Sequence, residues 1–230
     1  MNTFLESSVF FGVFSTICAY LAGLHIRKKT GLSILNPLLT AIILMIGALL
    51  LLDVHYTAYA AGSRLISSLL TPATICLAVP LYEQISLLKK YPLAILSGVL
   101  SGVVTSLLCV FFLSAIFSLD HASYVTLLPK SITTAIGMSV SEELGGYVSI
   151  TVAIILITGI LGNMIAETVC KIFRITEPVA KGIAIGTSSH AIGTSKAMEI
   201  GQIEGAMSSL SIVVSGILTV LLSGLFAGLL

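Results

Sequence analysis

The feature that most constrains this chain is length without charge. From Pro92 to Phe117, and again from Met207 to Leu230, no Asp, Glu, Lys or Arg interrupts a run of apolar and small residues. About 20 such residues cross a ~30 Å hydrocarbon layer as a helix, whose backbone groups satisfy one another where water cannot reach. Of the 230 residues, 57% are apolar and 9% charged, and the mean hydropathy is +1.11; soluble domains carry about 25% charge. The fold expected is all-α, a polytopic membrane bundle of about seven spans. A transmembrane β-barrel would alternate apolar and polar residues, and these runs do not. The length suits one integral membrane domain, 1–230, with no room for a soluble one. A net charge of +1 without any Lys/Arg tract gives no reason to expect nucleic acid.

Taken in order, Phe4 to Leu24 reads as a first span and His25 to Gly31, with Arg27, Lys28 and Lys29, as a cytoplasmic loop. Met1 to Glu6 carries no positive charge, so the order is that of a stop-transfer segment and not of a cleaved leader. Asn36 to Leu52 is a second span. Leu65 to Tyr82 is apolar but should kink near Pro72, because proline removes a backbone donor and crowds the preceding turn. Pro92 to Phe117 and Ile150 to Ala166 follow as spans, then a loop marked by Lys171, Arg174 and Lys181, and a last span from Met207. Cys18, Cys76, Cys109 and Cys170 are dispersed and read as packing residues, with no metal-ligand spacing and no cofactor motif.

Two segments fit neither span nor surface loop and read as broken or re-entrant. One is Ser118 to Ser149, where Leu128-Pro129-Lys130-Ser131-Ile132-Thr133-Thr134 precedes an apolar stretch too short to cross and then Ser141-Glu142-Glu143. Proline ahead of hydroxyls is what a helix start looks like. The other is Gly182 to Met198, with Gly186-Thr187-Ser188-Ser189-His190 and Gly193-Thr194-Ser195 repeating a unit seven residues apart. On an unbroken helix that spacing sets both hydroxyl pairs on one face. A weak self-match at offset 118 aligns Ile95–Ser101 with Val213–Thr219. It would make the chain an inverted repeat with halves 1–117 and 118–230, the pattern of transporters with paired interrupted helices.

The two segments supply the candidate site. Helix-start amides, Lys130 and the hydroxyls of Ser131, Thr133, Thr134, Ser188, Ser189 and Thr194 would suit a small anion, with His190 as donor or proton relay. Glu142 and Asn163 are candidates for coupling, and Pro72, Pro129 and Gly193 for the breaks that allow gating. The plainer alternatives are that Lys130 snorkels to a headgroup and that a neighbouring carbonyl satisfies His190. A hydrolase triad of Ser189, His190 and Glu142 is disfavoured: adjacent Ser and His leave a helix on different faces, and no Gly-x-Ser-x-Gly elbow is present. No enzymatic role is expected.

Pro129-Lys130-Ser131-Ile132-Thr133-Thr134, Ser141 to Gly146 and Gly186 to Thr194 resemble the LrgB/CidB family of bacterial inner-membrane proteins, as do Pro72-Ala73-Thr74 and Ala78-Val79-Pro80-Leu81-Tyr82. Thr71 departs from the glycine common there. The resemblance implies holin/antiholin-like control of murein hydrolases beside a small LrgA/CidA-type partner; a homo-oligomer is expected as well. It also implies kinship with plastid carriers of glycolate and glycerate and with bacterial pyruvate movement. Two functions are therefore expected to compete: a carrier of small monocarboxylates and a non-transporting regulator of lysis.

Overall fold

The computed structural model describes residues 8, 10–31, 35–69, 72, 75–76, 78–83 and 85–230, which are helical with no strand among them. They cluster into two units, Met1–Cys76 and Leu77–Leu230. In the first, α1 (Phe11–Thr30) runs through Arg27, Lys28 and Lys29, where a loop was expected. The three cations complement the free carbonyls of the last turn, and Gly31, at φ 68°, ends the helix. α2 (Pro37–Leu51) starts on Asn36, whose side chain accepts from Leu38 N at 2.8 Å. Its 15 residues rise about 22 Å, short of a full crossing. α3 (Tyr56–Gly62) ties back to α1 through Thr16 and Tyr59, 2.8 Å apart, and α4 (Arg64–Ser68) follows. Pro72 is helical and exposed, and 71, 73 and 74, named with it from the sequence, lie outside the described residues.

The second unit begins with two short helices, α5 (Ala78–Glu83) and α6 (Ile85–Lys90). Among the described residues three helices are long and apolar enough to cross a membrane: α7 (Pro92–Ile116), α10 (Val148–Ile172) and α12 (Gln202–Ala227). They expose Leu93, Leu113, Ile157, Leu221 and Leu225 outward, as lipid-facing positions require. Between α7 and α10 lie α8 (His121–Leu127) and α9 (Thr134–Glu143). Thr151 Oγ1 donates to Thr126 O at 3.0 Å and pairs with Ser141 Oγ at 2.7 Å, so α8 and α9 meet the same level of α10. The segment enters beside the start of α10, turns at Leu128–Thr133 and returns.

α11 (Pro178–Ile200) is continuous in hydrogen bonding except at His190, where φ 42° and ψ −140° leave the helical region. The chain reverses there. Eight residues of straight helix would separate 185 from 193 by about 12 Å, yet a Cβ built on Gly193 lies 3.2 Å from Ile185 O. Gly182 and Gly186 lie against the backbones of Glu204 and Ser208, parallel to α12, while Met198 lies against Gly205 and Thr194 bonds Ser208, antiparallel to it. α11 is thus a re-entrant helical hairpin with His190 at its tip. The expectation that Thr187-Ser188 and Thr194-Ser195 share one helix face fails at this reversal.

The two hairpins are related by a repeat of 56 residues, a different period from the 118 expected. α7 and α10 are the same length and start 56 apart, at Pro92 and Val148. Ser118 and Arg174 follow them with φ 51° and 52°. Leu119 N bonds Ser114 O at 2.9 Å just as Ile175 N bonds Cys170 O at 2.8 Å. At this offset Ala135-Ile136-Gly137, Ser139, Glu143 and Gly145 fall on Ala191-Ile192-Gly193, Ser195, Glu199 and Gly201. α7 rises beside the first arm of α11, Gly98 facing Ile183 and Gly102 facing Thr187; α10 descends along it, Gly162 facing Ser189 and Ala166 clustering with Ile185. The repeats therefore cross in opposite directions and their hairpins enter from opposite ends, an inverted repeat. Lys171, Arg174 and Lys181 gather at one end, called here the basic end.

Glycine sets the spacing along α11 and α12. A Cβ on Gly186 would meet Ser208 O at 2.5 Å and Ser208 Cα at 2.9 Å, backbone atoms that cannot turn aside. Gly186→Val is expected to force the helices apart and cost about 1–3 kcal/mol. The measurement is the midpoint of thermal unfolding in lipid discs; an unchanged midpoint contradicts the packing described.

Candidate functional site

The tips of the two hairpins face one another across a cavity of about 410 Å³. Its walls are mostly apolar, from Leu161, Ile165 and Val169 of α10 and Ala184 and Ile185 of α11. Four side chains give it polarity: Lys130 from the first tip, Ser188 and Ser189 from the second, and Thr158 of α10. A few polar groups in an apolar recess is the usual make-up of a small-molecule site. At about 30 Å³ per liquid water the space holds a small organic anion and some of its hydration.

Lys130 reaches the cavity because the chain turns immediately before it. Its own N–H bonds Leu127 O at 3.2 Å and Ile132 N bonds Pro129 O at 3.3 Å, so buried Pro129 closes the tip. Lys130 Nζ donates to Ser106 Oγ at 3.1 Å and Ser131 Oγ at 3.0 Å, and the two hydroxyls lie 3.1 Å apart. It meets no carboxylate among the described residues, whose side-chain ion pairs join Lys171 and Lys196 to Glu167 and Glu199. A half-buried ammonium balanced only by hydroxyls retains its attraction for an anion. Headgroup snorkelling does not describe a lysine held at the middle of α7.

On the other tip, Ser188 Oγ and Ser189 Oγ are 3.0 Å apart and Ser188 also donates to Ala184 O at 2.7 Å. His190 does not line the cavity. It is buried, with Nε2 2.9 Å from Ile155 O. A carbonyl can only accept, so Nε2 carries the proton and the ring anchors the tip to α10. Gly159 makes room for it: a Cβ there would lie 2.6 Å from the imidazole Cε1. Gly162 does the same for Ser189, whose Cβ would be 2.5 Å away.

The remaining sequence candidates take supporting places. Thr194 donates to His190 O and pairs with Ser208 at 2.7 Å, holding the returning arm on α12. Asn163 donates to Ile192 O at 2.8 Å and clamps that arm to α10. Buried Gly193 permits the close return past Ser189 and Ile185. Thr133 and Thr134 stand at the start of α9 without a side-chain cap, contrary to the capping role expected of these hydroxyls, and neither lines the cavity. Glu142 is exposed at the end of α9 and Pro72 belongs to the other unit. Sequence reasoning missed Ser106, Thr158, Gly159 and Gly162. The signal for Gly159 and Gly162 was available, as small residues beside Asn163 in an otherwise bulky span.

Two hairpins entering from opposite ends of an inverted repeat, with a cation and hydroxyls where they meet, belong to a polytopic helical membrane protein with a polar cavity between the hairpin tips. Its sequence matches the LrgB-like family over residues 16–229, and the chain belongs to that family. It is 39% identical over 203 residues to "Uncharacterized protein YxaC" of Bacillus subtilis (strain 168), covering 88% of each chain. It is 35% identical over 218 residues to "Antiholin-like protein LrgB" of Bacillus cereus (strain B4264) and of Bacillus anthracis (strain CDC 684 / NRRL 3495), covering 94% of this chain and 95% of each relative. No solved structure matches it.

Proposed function

We propose that this chain is a carrier of small monocarboxylates of the pyruvate, lactate or glycolate type, working in a bacterial cytoplasmic membrane. The observation that carries the reading is that Lys130 and the Ser188–Ser189 pair, from hairpins entering opposite ends, line one cavity. A carboxylate placed there accepts from Nζ and from hydroxyls while its short carbon chain lies on Leu161 and Ile165. Opposed re-entrant hairpins around a mid-membrane site are the architecture of alternating-access carriers. A hydrolytic role is disfavoured because no hydrogen bond among the described residues joins a ring nitrogen of His190 to a serine hydroxyl: Nε2 donates to Ile155 O, and Ser189 Oγ pairs with Ser188 Oγ.

The test is uptake of labelled pyruvate, lactate and glycolate into proteoliposomes. Saturable uptake of at least one, inhibited by the others, is expected. Folded protein with no saturable flux for any of them refutes the carrier.

The antiholin-like name of the Bacillus cereus relative favours a second reading; joined to what the family resemblance implies, it is a regulator of murein hydrolases and lysis that assembles with a small LrgA/CidA-type membrane protein or with copies of itself. On that reading Lys130→Met leaves the lysis phenotype unchanged. On the carrier reading any lysis effect follows carboxylate flux and is lost with it.

A further inference from the structure

We propose that the carboxylate path has two mouths at equivalent places in the 56-residue repeat, the one at the basic end open and its counterpart around Ser114 shut. The inference rests on the carrier reading. At the basic end a cleft of about 620 Å³ is lined by Cys170, Arg174, Ile175, Lys181 and Ile200. Cys170 and Ile175 line the inner cavity as well, so cleft and cavity abut at these two side chains. Lys171, Arg174 and Lys181 outnumber the cleft's Glu167, which is already bonded to Lys196 at 2.7 Å. A recess of that sign concentrates anions ahead of the site.

Moving each of these positions back by 56 gives Ser114, Ser118, Leu119, Val125 and Leu144. The backbone there is the same, down to the left-handed residue and the bond from Leu119 N to Ser114 O. The packing is not. Ser118 is exposed as Arg174 is and Cys170 is itself buried at 7%, but Ser114 has no exposure at all, Val125 is fully buried where Lys181 is half-buried, and Phe111 and Leu144 pack on the core that contains Val125. Ser114 Oγ is the buried side-chain oxygen that has no hydrogen-bond partner among the described residues. An orphaned hydroxyl is unfavourable in a dry core and would be satisfied by water or substrate when that face opens. In an inverted repeat the opposite-facing state follows when each half adopts the other's packing. Ser114 would then stand where Cys170 stands now, on the path of the same small carboxylate.

The experiment uses the full chain in proteoliposomes with Cys18, Cys76 and Cys109 changed to Ser. One protein keeps Cys170; a second carries Cys170→Ser with Ser114→Cys, and a third Cys170→Ser with Leu144→Cys in case the buried serine does not tolerate exchange. A membrane-impermeant sulfonated maleimide is applied from either side, with and without pyruvate. At rest Cys170, 7% exposed where cleft and cavity abut, reacts slowly and from the basic end alone, and the two new thiols react at least about tenfold more slowly still. During pyruvate turnover the new thiols accelerate from the far side while Cys170 slows. Pyruvate uptake with both new thiols still unreactive overturns the second mouth and leaves the carrier standing. No saturable uptake of pyruvate, lactate or glycolate by the folded parent protein overturns the carrier and, with it, this path; where one of the other two is the substrate carried, it takes the place of pyruvate in the labelling.

Discussion

Lys130→Met is expected to weaken carboxylate uptake about 10- to 100-fold in apparent affinity, the loss of one charge-assisted contact worth about 1.5–3 kcal/mol. The same change should leave the melting temperature equal or higher. Holding an ammonium half-buried against two serines costs desolvation that no carboxylate repays among the described residues. Methionine removes that cost, and Ser106 and Ser131 keep their mutual bond of 3.1 Å. Opposite signs for function and stability separate a site residue from a structural one. If Lys130→Met lowers both together, the lysine holds the tip and the cavity lacks its proposed cation. Lys130→Arg keeps the charge with a different shape and should recover only part of the affinity, since the planar fork does not replace a compact donor.

How much of this was legible in the sequence divides along chemistry and geometry. Runs such as Pro92–Ile116 and Gln202–Ala227 declared themselves, because a lipid solvent permits little besides a helix over such lengths. The two anomalous segments were legible as well, since Pro129, Lys130 and the clustered hydroxyls are costly in oil unless they face a polar site. The direction of the second segment was not. A helix of 178–200 and a hairpin of 178–200 have the same periodicity, and the difference is one residue, His190, in a conformation that glycine would have advertised and histidine does not. The plainer alternative for its side chain, a ring satisfied by a carbonyl, is the arrangement found; which carbonyl was not legible, because Ile155 O is supplied by a helix 35 residues away. The self-match at 118 rests on Leu, Ser and Gly, letters that recur easily in an apolar chain. The shorter period, with Ala-Ile-Gly recurring at 135 and 191, was present in the letters and gained meaning from Ser118 and Arg174 sharing a rare backbone angle.

At His190 itself the usual order of two substitutions should reverse. In an ordinary helix glycine is about 1 kcal/mol worse than alanine. Here φ 42° with ψ −140° burdens any side chain with about 1–3 kcal/mol of strain, and glycine adopts the position freely. His190→Ala keeps the strain and loses both the bond to Ile155 O and the imidazole packed over Gly159, together about 3 kcal/mol. For a chain of this size that is about 6–12 °C in melting temperature. His190→Gly suffers the same losses but sheds the strain, and should melt about 2–12 °C above the alanine variant while remaining below the parent. The chain has no tryptophan, so far-ultraviolet circular dichroism is the suitable readout. Carboxylate uptake should follow the same order, parent above glycine above alanine, because the ring anchors the tip and does not touch the anion. Equal loss of uptake in both variants, whatever their melting temperatures, would instead make the imidazole a ligand and move the site from the Lys130–Ser189 cavity to the hinge.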